Sequence, residues 1–249
     1  MGPGNPRSFD RYSPAISPFP GTLMYRRVIV DSDQSAPTGG TVTGIVSVPR
    51  GSNRFTVMVD DAPAHTLGLD AIERLGIRIG ASTVGMEAVL TREQSICRAY
   101  DRAVSMLASR GRAGKDLERQ LVRRGEPADV ASLAVSRLVA EGFIDDSRYA
   151  RSYVRSKSAG AGLARWRIQR ELTNQGVSRA VVDEAITEVF GDDCVDEVAS
   201  AIALARKRAR SMGSGDPLSR RRRLYSYLAR RGYPPDVIAT ALSAAASEL

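Results

Sequence analysis

Two hydrophobic periods divide the chain. Between residues 41 and 68 apolar and polar side chains alternate. Thr41 to Val48 is β-branched, and Phe55-Thr56-Val57-Met58-Val59 alternates again after the turn residues Pro49-Arg50-Gly51-Ser52-Asn53. That pattern predicts a β-hairpin. A second turn is expected at Asp60-Asp61-Ala62-Pro63 and a short third strand at Ala64–Leu67. Leu69–Leu75 fits one or two helical turns closed by Gly76, and Ile77–Gly80 a bend. A further helix is expected to start near Ser82 or Thr83 and to run through Met86, Val89 and Leu90. Residues 41–95 thus read as a small β-rich domain with short helices, barely large enough for a core of its own. Residues 1–40 are predicted to be disordered, since eight of the 12 prolines precede residue 64 and such a segment buries too little apolar surface to offset its ordering entropy. Its one apolar patch, Leu23–Val30, fits a linker better than a docked strand.

From residue 96 the period is helical, and it repeats. Three glycines, Gly125, Gly176 and Gly232, bring the copies into register. Eight residues before them stand Leu117, Ile168 and Leu224; four before, Leu121, Leu172 and Leu228. Five after stand Val130, Val181 and Val237, nine after Ala134, Ala185 and Ala241, and ten after Val135, Ile186 and Leu242. A repeat of this length signals stacked supersecondary units. Within a unit the i, i+4 pair lies on one helix face. The glycine stops that helix in a left-handed conformation, and the next stripe belongs to a following helix. A third helix precedes each pair, over Arg98–Ser109, Asp146–Ser158 and Asp196–Arg210, with stripes Ala99/Ala103/Leu107, Tyr149/Tyr153 beside Ala150/Val154, and Val198/Ile202/Ala205. The expected fold is therefore mainly α: three three-helix units in tandem (96–145, 146–190, 191–249), preceded by the β-rich domain (41–95) and a disordered N-terminus (1–40). At the first join, Gly142 closes a helix, Phe143 and Ile144 plug the gap and Asp145 caps the next helix. Ser211–Ser219 reads as a mobile insertion.

Charge follows the same division. Residues 1–95 carry 9 basic and 9 acidic side chains, residues 96–249 carry 27 and 19, so the net +8 lies wholly in the repeats. Over 96–147, 148–190 and 191–249 it is +1, +4 and +3. Nearly all the cations are arginines, whose planar fork suits phosphates and carboxylates. The candidate contacts are Arg123, Arg124, Arg155, Arg165, Arg167, Arg170, Arg220, Arg221, Arg222, Arg223, Arg230 and Arg231, together with Trp166. Trp166 stands where the other units have Lys115 and Arg222, about 160–200° around the helix from Ile168 at roughly 100° per residue. It is thus placed on the outer face among arginines, an arrangement suited to base stacking and phosphate contact. Packing against a neighbouring unit is the competing role for Trp166, and a solvated helix face the competing role for the arginines.

Other chemistry finds little support. One histidine, His65, cannot build a histidine metal site or a Ser-His-Asp triad. Cys97 and Cys194 stand alone and read as buried hydrophobes in a reducing compartment. Gly111-Arg112-Ala113-Gly114-Lys115-Asp116 mimics a phosphate loop but has the wrong spacing and an Asp in place of Ser or Thr. The acidic pairs Asp145-Asp146 and Asp192-Asp193 fit helix caps better than catalysis. No catalytic residue, metal or cofactor is expected. No apolar run spans a membrane and no signal core opens the chain, which predicts a cytoplasmic protein without a membrane or small-molecule partner.

Three stretches resemble the RecX family. They are Gly142-Phe143-Ile144-Asp145-Asp146-Ser147-Arg148-Tyr149-Ala150, then Gly162 through Leu172 with Gly176-Val177 following, and Ala103–Leu107 through Leu121–Gly125. In the second stretch Trp166-Arg167 lengthen the family spacing. The resemblance implies a monomeric, non-enzymatic regulator that binds the filament of the RecA recombinase on single- or double-stranded DNA and suppresses its ATPase and strand exchange. A stacked array offers the long face such a partner needs. The rival expectation is a general nucleic-acid-binding helical protein without a recombinase partner.

Overall fold

A computed structural model of the 249-residue chain describes residues 39–48, 53–192, 196–213 and 215–246. The expectations for residues 1–38, for the turn at 49–52 and for Cys194 lie outside them. Strands β1 (Val42–Ser47), β2 (Arg54–Val59) and β3 (Ala62–Gly68) form one antiparallel sheet in that order. β3 starts earlier than its alternation suggests. Asp60 and Asp61 alone make the turn, both with positive φ (48° and 65°), as a two-residue hairpin of this hand demands. Pro63 then lies in the strand beside a register shift between Val57 and Met58, where its missing N–H is tolerated.

Helix α1 (Leu69–Arg74) follows, then α2 (Glu87–Ser109). Ser82 and Thr83 do not start α2. Ser82 bridges to Thr41, and the buried Thr83 hydroxyl donates to Gly40 O and accepts from Gly40 N–H. α2 runs straight through residue 95, where the sequence places a domain boundary. Its first half supplies Leu90 to the sheet core of Val42, Val57, Val59, Leu67, Ala71, Ile72 and Ile77. Its second half packs Ile96 and Ala99 on Val130 and Ala134. One helix thus closes two cores, so the β-rich part need not bury a core alone. Beside this seam Glu93 receives Arg74 of α1 at 3.0 Å and Arg137 at 2.8 Å. Burial pushes the Glu93 carboxyl up, but the hydrogen bonds from Arg137 and Arg74 outweigh it and hold the group below its ordinary value.

The rest is helical. Unit one is α2, α3 (Gly114–Arg123) and α4 (Ala128–Ala140). Unit two is α5 (Asp146–Arg155), α6 (Arg165–Asn174) and α7 (Arg179–Thr187), with single π-helical turns at Ser156–Gly160 and Glu188–Asp192. Unit three is α8 (Glu197–Arg210), α9 (Pro217–Arg230) and α10 (Pro235–Ala244). Leu117, Leu121, Ile168, Leu172, Leu224 and Leu228 are fully buried. Gly125, Gly176 and Gly232 have φ of 93°, 87° and 89°. Two stripes differ from expectation. Phe143 is 58% exposed, and of the two only Ile144 is buried, in the core of unit one. Val198 is exposed, and α8 turns Ala201, Ala205 and Ala209 inward, where small side chains admit Val237, Ile238 and Ala241 of α10. Pro217 to Ser219 of the expected insertion belong to α9.

The joints between units obey one rule. The first four N–H groups of a helix lack intrahelical acceptors. The residues before α3 and α6 are Ala113 and Ala164, which cannot cap. The next unit supplies the cap. Gly114 N–H donates to Asp146 Oδ1 at 2.9 Å and Arg165 N–H to Glu197 Oε1 at 3.1 Å, each acceptor opening the first helix of the following unit. Their neighbours Asp145 and Asp196 cap their own helices. Ala113 and Ala164 are meanwhile buried in the following unit's core, beside Ala150 and Val154 or Ala201 and Ala205. In unit three, α9 is capped locally, Ser219 N–H donating to Asp216 Oδ2 at 2.9 Å.

Candidate functional site

The candidate residues do not form one patch. At about 100° per residue, four consecutive arginines fan around α9. Arg221, Arg222 and Arg223 are exposed, whereas Arg220 turns inward and donates to Ala209 O at the end of α8 (3.3 Å). Arg230 is exposed and Arg231 half-buried, its guanidinium 4.7 Å from the centroid of the Tyr227 ring. Arg208 approaches the same ring at 5.6 Å. This arginine–tyrosine–arginine stack was invisible in the sequence because its members lie on two helices and a loop. Arg123 and Arg124 are exposed at the end of α3, where a cation offsets the negative pole of the helix. Arg155 is exposed and pairs with Glu188 at 2.8 Å.

On α6 the outer surface is richer. Trp166 is 55% exposed, on the outer face of α6. The Arg170 guanidinium lies over its ring, 5.6 Å from the centroid. Arg165 is held by Glu197 at 3.0 Å and lies over Phe190. Arg167 is half-buried and bonds Glu171 at 2.8 Å. The same carboxylate accepts from Tyr153 Oη at 2.8 Å. Burial, then this hydrogen bond, push the Tyr153 hydroxyl up to about 12. Arg167 is thus scaffold as much as surface. Arg179, three residues past the repeat glycine, joins Trp166 and Arg170 around a cavity of about 260 Å³. No helical period marked it, since it stands at the start of another helix.

Two competing chemistries are also placed. His65 is buried rather than half-buried, and its Nδ1 lies 3.1 Å from Gln94 Oε1. Burial, opposed by that bond, lowers its pKa, favouring a neutral structural imidazole. The stretch that mimics a phosphate loop ends at the start of α3, whose first N–H is already taken by Asp146. Among the described residues no three His, Cys, Asp or Glu side chains group as metal ligands, and no helix is long and apolar enough to cross a membrane.

Comparison with known proteins assigns the family. Models of the second and third three-helix domains of RecX match residues 145–186 and 196–242. The regulatory protein RecX of Mycolicibacterium vanbaalenii is 37% identical over 134 residues, covering 51% of this chain and 71% of the relative. That of Amycolatopsis mediterranei is 32% identical over 155 residues, covering 62% and 87%. That of Geobacillus kaustophilus is 27% identical over 209 residues, covering 82% and 77%. A crystal structure of a regulatory protein RecX superposes with a TM-score of 0.65 at 20% identity, over 82% of this chain and 98% of that one, which supports the fold. The matched domains are the second and third helical units, and together with the relatives they show that the chain belongs to the RecX family of regulatory proteins.

Proposed function

We propose that the chain regulates the RecA recombinase by binding the RecA–DNA filament and inhibiting its ATPase and strand exchange, acting as a cytoplasmic monomer without catalysis of its own. One observation carries the reading: all the net charge lies in the helical units. Arg170, Arg221, Arg222 and Arg230 are exposed there without an ion pair among the described residues. Such cations neutralise DNA phosphates, and the resulting affinity falls steeply with salt. The test is RecA ATPase on single-stranded DNA with added protein. Inhibition that weakens with salt and in R221E/R222E is expected. No inhibition at excess protein in low salt refutes the proposal. Equal affinity for naked and RecA-coated DNA replaces it with general nucleic-acid binding, the reading that the exposed Trp166 beside Arg170 also favours.

A further inference from the structure

We propose that the junction of units two and three is a stacking notch for one unstacked base of a single-stranded nucleic acid, with Trp166 as its wall. This rests on the nucleic-acid contact proposed above and says where a base, rather than a phosphate, is held.

Trp166 is the chain's single tryptophan and it stands out in water. It borders two cavities. The smaller holds Arg170 and Arg179. The larger, about 430 Å³, is lined by Arg165, Trp166, Glu197, Ala229, Gly232, Tyr233 and Pro234. That volume falls within the roughly 300–1,000 Å³ typical of small-ligand sites. Arg170 lies over the indole and borders the smaller cavity but not the larger, which Trp166 lines together with Glu197, Ala229 and Pro234. Gly232 brings no side chain to the notch, and Ala229 and Pro234 are small and apolar.

The Tyr233 hydroxyl and the Glu197 carboxylate at the notch are already engaged. Tyr233 Oη donates to Gly162 O at 3.1 Å. Glu197 accepts from Arg165 N–H and Nε. In the smaller cavity, Gln169 Nε2 donates to Asp183 and the Thr173 hydroxyl to Gln169 O. Arg170, Arg179 and the Asn174 amide line the smaller cavity and not the notch. The site therefore offers flat apolar contact with cations alongside, the combination that takes bases without regard to sequence. A duplex hides its base faces in the stack; a single strand presents them. The corresponding corner between units one and two sets Gly176 against Lys115, which offers no aromatic wall, so the notch belongs to the second junction.

The single tryptophan makes the test direct. The full chain is titrated with fluorescently labelled oligothymidylate, an abasic oligomer of the same length and a duplex, reading tryptophan emission and label anisotropy together. Oligothymidylate is expected to quench Trp166, and the abasic oligomer to bind without quenching. Trp166→Ala should weaken oligothymidylate about tenfold, the equivalent of ~1.4 kcal/mol, and leave the abasic oligomer unchanged. Trp166→Phe should restore most of the loss. Binding of oligothymidylate with unchanged emission overturns the notch alone, as does equal quenching by the abasic oligomer. A change of emission with RecA protein but not with oligothymidylate makes the notch a protein contact and also overturns it. No binding of any nucleic acid in low salt overturns this proposal and its parent together.

Discussion

Replacing Gly232 by alanine tests how the units are joined, because the repeat contains its own control. All three repeat glycines have φ near +90°, where an L-residue costs roughly 1–2 kcal/mol. That cost is common to Gly125→Ala, Gly176→Ala and Gly232→Ala. The surroundings differ. A Cβ on Gly125 meets nothing within 4 Å. A Cβ on Gly232 lies 2.5 Å from Arg167 Cβ, 3.0 Å from its backbone N and 3.2 Å from its Cα. These atoms belong to the start of α6 and cannot swing aside. On Gly176 the Cβ lies 2.4 Å from Lys115 Cβ, at the start of α3. Overpacking adds roughly 1–3 kcal/mol, so G125A should cost about 1–2 kcal/mol and G176A or G232A about 2–5 kcal/mol. Stacked units share nearest-neighbour interface energy, so G232A should also let unit three melt ahead of the rest. Urea denaturation followed by far-ultraviolet circular dichroism reads both effects. If G125A and G232A lose equal stability with single transitions, the glycines serve only as helix stops and the close approach between units carries no energy.

Two further outcomes follow from the joints and the seam. Asp146→Ala and Glu197→Ala should each cost about 1 kcal/mol, as for loss of a helix cap, although neither residue caps its own helix. Hydrogen exchange should quicken at the start of α3 or α6 respectively, in the unit that was not mutated. Protection lost only around the mutated residue would refute capping across the joint. Glu93 is held below its ordinary carboxyl value of 4.5 when folded. Its contribution is therefore present above pH 4.5 and lost as pH falls through the depressed value. The difference in thermal midpoint between the native chain and Glu93→Gln should shrink across that acid window, and a difference independent of pH would show that the ion pairs with Arg74 and Arg137 add nothing.

Much of this protein was legible in its residues. Leu117, Ile168 and Leu224 mark buried helix faces because a helix repeats at a spacing that sequence shows directly, and left-handed stops at Gly125, Gly176 and Gly232 follow from the residue that adopts that conformation without a Cβ penalty. The outward placement of Trp166 came from the same angular count. Contacts between segments had no such period. Asp145 and Asp146 look like one acidic pair, yet one caps α5 and the other caps α3 of the unit before. Ala113 and Ala164 look like poor helix starts until the following unit's carboxylate and core are brought against them. Arg220 through Arg223 look like one cationic cluster, but helical rotation spreads them and tertiary packing turns Arg220 towards Ala209. The same holds at residue 95, where α2 carries no break and only packing reveals that its two halves serve different cores. Local geometry depends on neighbours along the chain and can be counted there. Which carboxylate meets which amide, and which arginine keeps its charge in water, is decided by groups far apart in sequence that only the folded chain brings within hydrogen-bonding distance.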